Sequence, residues 1–362
     1  LPSAGLVLLL VVAATAPAPA QEQLPASAVC PDARSRQFDF WIGEWDILNL
    51  HRQTGGDDPR WYSTGSSVSR VVPVVDGCAL VEEWYGELSF DRVRGMSLRA
   101  FNPDAAEWDI AMLWPSPDRP TFGTLEGNFR HGRGEFYTEG TDQHGRTVLT
   151  RFTFADIRPD QLRWDAAQSG DSGLTWRTTW IMEFTRHPAG DSPIRPAWVD
   201  TLPRCEFPAM VEFEFAIGAW QGTATLPDGR TAPATLRSDY TLGGCAVEEH
   251  LQVDGGTWEA YEIRTFDQGV RSWVAYRVDT SHPALQRLEG PVRGADAQLL
   301  GSQQRGDGEV LVAERWEWMN AGLLRYDLRE SMDGGTTWTT VVEAELAPVT
   351  EVPVESPAPP AP

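Results

Sequence analysis

The chain carries one domain-length pattern twice. Phe38-Asp-Phe-Trp-Ile-Gly-Glu-Trp45 returns as Phe213-Glu-Phe-Ala-Ile-Gly-Ala-Trp220, with Cys30 and Cys205 each eight residues upstream. Gly77-Cys78-Ala79 returns as Gly244-Cys245-Ala246, and Leu125-Glu126-Gly127 as Leu288-Glu289-Gly290. Ser169-Gly-Asp-Ser-Gly-Leu-Thr-Trp176 returns as Ser331-Met-Asp-Gly-Gly-Thr-Thr-Trp338. The matches keep their order while the offset between them shrinks, as loop-length changes in a duplicated domain would produce. Whatever one copy folds into, the chain must build it twice, and 362 residues suit two domains of ordinary size.

The duplication gives each copy one early and one middle cysteine. Pairing within copies predicts Cys30–Cys78 and Cys205–Cys245, each tying an N-terminal segment to a strand of its own domain. The expected organisation is a signal peptide at 1–20, a linker at 21–29, a first barrel at 30–187, a Pro-rich linker at 188–204, a second barrel at 205–348 and a Pro-rich disordered tail at 349–362. The apolar run from Leu6 to Ala16, followed by Ala18-Pro19-Ala20, reads as a secretory h-region and cleavage site after Ala20. That run is too short to cross roughly 30 Å of hydrocarbon, so no membrane span is expected. Secretion to the periplasm or medium also suits cysteines that pair.

Within each copy the apolar residues alternate. Trp108, Ile110 and Met112 interleave with Asp109 and Ala111, and Phe152 and Phe154 with Arg151 and Thr153. Trp176, Thr178, Trp180, Met182 and Phe184 share one face on the same count. Period-two segments separated by Gly, Asp and Pro turns indicate antiparallel strands, about eight to ten per copy. A sheet that long with one apolar face loses its edges by closing, so the expected fold is all-β: two tandem antiparallel up-and-down barrels.

At this point a resemblance enters. The Phe38–Trp45 opener, the Gly-Cys-Ala-x-x-Glu strand and the closing Ser-x-Asp-x-Gly-x-Thr-Trp hairpin are similar to secreted bacterial lipocalin-like (calycin-like) domains, mostly of unknown function. Gly43-x-Trp45 and Gly218-x-Trp220 resemble the lipocalin opening, in which the Trp closes the barrel's narrow end. The second copy departs from it, with Ala216 for Trp41 and Ala219 for Glu44.

Composition removes several function classes. All 30 basic residues are Arg, so lysine chemistry is absent, and 52 acidic residues give a net charge of −22. Such a surface repels phosphate backbones, so nucleic acid is not an expected partner. The six His are unmatched between copies and lack metal-ligand spacing, so no metal is expected. His250 alternates outward with Glu248 and Gln252, which argues against a haem ligand, and no cofactor is expected.

What remains is a duplicated polar pair. Glu82 lies between Leu80 and Trp84 on an inward face, as Glu249 does between Val247 and Leu251. A buried carboxylate needs a partner, and Arg99 and Arg264 on the following strands supply one. The expected function is binding of a small hydrophobic or amphipathic molecule without catalysis. Trp41, Trp45, Trp84, Trp108 and Trp114 would line barrel one around Glu82 and Arg99, with Trp220, Trp273 and Trp316 around Glu249 and Arg264 in barrel two. Two other readings stand beside it: an enzyme using Glu82 as general acid/base, and an interaction module with filled barrels. An interior above roughly 300 Å³ would favour binding.

Overall fold

The computed structural model describes residues 30–53, 60–89, 91–114, 120–142, 144–188, 195–319 and 322–349. The expected signal peptide, the 21–29 linker, residues 189–194 of the Pro-rich linker and the tail from 350 lie outside them.

Ten strands form the first domain: β1 (Gly43–Arg52), β2 (Trp61–Val74), β3 (Ala79–Leu88), β4 (Asp91–Asn102), β5 (Glu107–Leu113), β6 (Phe122–Arg130), β7 (Arg133–Thr141), β8 (Thr147–Ala155), β9 (Gln161–Ser169) and β10 (Arg177–Arg186). Each pairs antiparallel with its neighbour in sequence, and β10 returns to β1, so the sheet closes. The second domain repeats this with β11 (Gly218–Thr225), β12 (Thr231–Thr241), β13 (Ala246–Val253), β14 (Trp258–Asp267), β15 (Ser272–Asp279), β16 (His282–Gly290), the two-residue β17 (Val292–Arg293), β18 (Asp296–Arg305), β19 (Gly308–Met319), β20 (Leu323–Ser331) and β21 (Thr339–Pro348). There β11 pairs with β21, and β16 meets β18 at Glu289 and Leu300. The chain is therefore two closed ten-strand antiparallel up-and-down barrels. Cys30–Cys78 and Cys205–Cys245 each fasten the lead-in segment of one barrel. Two disulfides fit an oxidising, non-cytoplasmic location. No helix among the described residues is long and apolar enough to cross a membrane.

The opener closes one end of each barrel. A 3-10 turn at Asp39–Trp41 drives Phe38 into the interior, where its ring meets Trp108, Phe129, Phe136 and Phe154. Trp45 Nε1 donates to the Trp41 carbonyl at 2.8 Å, and Arg186 lies over the Trp45 ring while donating to the carbonyls of Phe40 and Ile42. Barrel two reproduces the turn at Glu214–Ala216, and Trp220 Nε1 donates to the Ala216 carbonyl at 2.9 Å.

Two features differ from plain alternation. In β10 the register slips between Thr178 and Trp180, a bulge that turns the strand over by one residue. Trp180, Met182 and Phe184 face the interior, whereas Trp176 lies outside against Tyr137 and under Arg151. The five residues expected on one face are thus split between two. The second feature is that β4, β14 and β15 are buried on both faces. Outward side chains of β3–β5 (Val81, Met96, Leu98, Ala100, Ala111, Leu113) share one buried cluster with Tyr261, Ile263, Val274, Tyr276 and Val278 of barrel two. Polar links flank it: Glu259 accepts the backbone N–H groups of Val75 and Asp76, and Arg94 donates to the carbonyls of Val199 and Pro203. His250 faces outward and bonds Glu259 at this junction.

Candidate functional site

The two interiors share one polar pair and diverge around it. In barrel one Glu82 Oε1 accepts from Ser69 at 2.8 Å, and Oε2 accepts from Ser97 at 3.0 Å and from Arg99 at 3.3 Å. Arg99 also donates to Ser97 at 2.6 Å and stacks over the Trp41 ring at 3.9 Å. Burial pushes the Glu82 carboxyl above its ordinary range, against the opposing pull of Arg99 and the two serines. Burial also lowers the Arg99 guanidinium to about 10.

Above this pair lies a pocket of about 110 Å³, lined by Trp41, Glu82, Trp84, Arg99, Ile110 and Met112 from one side. Trp114, Phe152, Phe154, Trp164, Trp180, Met182 and Phe184 complete the wall. Trp84 meets Trp114 edge-on at 5.0 Å, and Trp164 meets Trp180 at 5.3 Å. Trp114 is exposed at the rim. Trp180 Nε1 donates to Asn49, whose amide donates in turn to Ser67, so this ring is held in place.

Of the residues singled out from sequence, Trp41, Glu82, Trp84, Arg99 and Trp114 come together at this pocket. Trp45 and Trp108 do not line it; both are fully buried toward the closed end, where Trp108 Nε1 donates to Gln37. The remaining wall, with Trp164 and Trp180, was not anticipated. Its alternation is visible along the chain, but nothing local says which strands surround the mouth.

Barrel two fills the equivalent space with charge. The ladders align: Glu82 faces Ser97 as Glu249 faces Glu262, and Ser97 faces Met112 as Glu262 faces Arg277. Phe154 faces Trp164 as Trp316 faces Tyr326, which makes Phe152 and Glu314 equivalent. Where barrel one has serine, methionine and phenylalanine, barrel two has Glu262, Arg277 and Glu314. Arg264 contacts Glu249 at 2.7 Å and Glu262 at 2.6 Å, and Arg277 contacts Asp279 at 3.1 Å and Glu314 at 3.7 Å. Tyr326 donates to Glu314. Four carboxylates against two guanidiniums leave a surplus of two negative charges if all ionise. Burial raises Glu249 to about 8 and Glu262 well above the ordinary range, so protons relieve the surplus. Trp273 and Trp316 are fully buried, with Trp273 Nε1 donating to Glu212, and Trp220 lies at the closed end against Trp318. Among the described residues, no group of three or more His, Cys, Asp or Glu could hold a metal ion.

No family model matches the chain, and no curated protein matches it. Among solved structures it is similar to an S-type phycobiliprotein lyase from Guillardia theta, at 14% identity over 42% of this chain and 91% of that one, with a TM-score of 0.30. It is also similar to a protein of unknown function from the DUF3598 family of Nostoc punctiforme, at 13% identity over 88% of this chain and 100% of that one, with a TM-score of 0.25. Likenesses of this size carry no argument about function; the barrel assignment stands on the strand pairing itself.

Proposed function

We propose that the chain is an exported binding protein in which barrel one takes a small amphipathic molecule and barrel two serves as its rigid support. The observation that carries this reading is the aromatic pocket over the Glu82–Arg99 pair, open at a rim where Trp114 is exposed. At about 110 Å³ it falls below the roughly 300 Å³ expected of a site that encloses a whole ligand. It is smaller than the roughly 150 Å³ apolar cavity that takes up benzene, so it suits a short chain end or one ring seated partly in the open mouth. The rest of the molecule would project past Trp114 and Trp180.

Catalysis by Glu82 has one supporting observation, its raised pKa. Against it, both carboxylate oxygens are already engaged by Ser69, Ser97 and Arg99, so the group is anchored. Export rests on the Leu6–Ala20 segment and the two disulfides. The test of binding is tryptophan fluorescence of the full chain against a panel of small ring compounds. Saturable quenching that Trp84→Ala weakens at least roughly tenfold supports the reading, on the scale expected for a buried aromatic contact. A flat response across the panel ends it.

A further inference from the structure

The pocket of barrel one is oversupplied with donors. Arg99 Nε and Nη1, Trp41 Nε1 and Trp84 Nε1 are buried without a hydrogen-bond partner, and all three residues line the pocket. The one carboxylate in the lining, Glu82, has its two oxygens committed to Ser69, Ser97 and a single Arg99 nitrogen. The rest of the wall is tryptophan, phenylalanine, methionine and isoleucine, which offers no strong acceptor. Buried N–H groups are almost always satisfied in folded proteins, so a cluster of unpaired ones on residues that line a pocket describes its complement.

We propose that the molecule held by barrel one enters with an acceptor oxygen first, a carboxylate or a carbonyl, which Arg99, Trp41 and Trp84 bind while the tryptophan wall holds an apolar body. The inference rests on the binding reading above and names its ligand class. A lining of five tryptophans by itself suggests a cationic ligand, because ring faces attract cations. The polar floor selects against one: it holds a guanidinium and two indole N–H donors, and its one carboxylate, Glu82, is already engaged by Ser69, Ser97 and Arg99. The second copy surrounds the same arginine with more negative charge. Arg264 is clasped by Glu249 and Glu262, whereas the position equivalent to Glu262 is Ser97, and Arg99 is left with one carboxylate contact at 3.3 Å.

The test compares four probes of one ring size by tryptophan fluorescence on the full chain: cyclohexanecarboxylate, cyclohexanone, cyclohexylammonium and methylcyclohexane. The two oxygen-bearing probes are expected to bind about tenfold or more tightly than the other two, the scale of one or two satisfied buried donors. Carboxylate ahead of ketone identifies an ionic head, and equal affinity a neutral carbonyl; both support the assignment. Ser97→Glu, which gives Arg99 the second carboxylate that Arg264 has, should abolish the preference. Trp84→Phe, which removes one donor and little shape, should reduce it about threefold. Ammonium or hydrocarbon binding as tightly as the oxygen-bearing probes overturns the donor assignment and leaves the pocket standing. If none of the four binds, the pocket reading fails and the inference falls with it.

Discussion

Of the three exchanges that separate the two interiors, Ser97 against Glu262 is the one that lies beside the shared arginine. A serine leaves the arginine beside it with one carboxylate contact and the space above it apolar; a glutamate begins a buried ion cluster. Because Glu249 and Glu262 hold protons more tightly when folded than when unfolded, they stabilise the protein most at pH below their ordinary range. That contribution is lost as pH rises through about 8, the value for Glu249. Urea unfolding should therefore show lower stability at pH 9 than at pH 5. Glu262→Gln, which removes one surplus charge, should flatten that slope; parallel wild-type and variant profiles would contradict the charge balance. Glu82 and Arg99 were legible along the chain because both copies repeat them on inward faces. The exchange at Ser97 was not, because its meaning depends on which strand lies opposite.

At the level of the strand, the pocket depends on two glycines. A Cβ on Gly86 would come within 2.3 Å of the Trp84 ring, and one on Gly95 within 2.9 Å of the Trp114 ring. Gly86→Ala should turn Trp84 out of its place and destabilise the barrel by about 1–3 kcal/mol, the usual range for overpacking. A red-shifted tryptophan emission together with a lowered urea midpoint would register it. Each disulfide closes a loop of 48 or 40 residues. In the chain-entropy picture, replacing either pair by serine should lower stability by about 4 kcal/mol, measurable by denaturant titration. Alternation identified most strands, and the repeat identified the cysteine partners. The β10 bulge was hidden, because an extra residue in one strand shows only against its neighbour's register.

Across the whole molecule, the barrels are not beads on a linker. Each uses the same part of its sheet, β3–β6 in one and β13–β16 in the other, to cover its twin. Val75, a β-branched residue at φ 54°, sits in the left-handed region at this junction, and its N–H is gripped by Glu259. Full-chain calorimetry should accordingly show one cooperative transition. Leu98→Glu, which puts a charge into the shared cluster, should split it into two. A single sharp transition in that variant would mean that the junction contributes little.

By itself the sequence determined what repetition and period can encode: two copies, an alternating sheet in each, cysteine partners within each copy, and a carboxylate–arginine pair facing inward. These are properties of neighbours along the chain or of one copy matched to the other. Tertiary structure alone decided which tryptophans meet at a mouth and which plug the closed end, since barrel closure brings together residues more than a hundred apart. It also decided that β4, β14 and β15 are buried on both faces. Alternation reports only that a face is apolar; whether water or a second barrel lies against it depends on how two closed sheets pack.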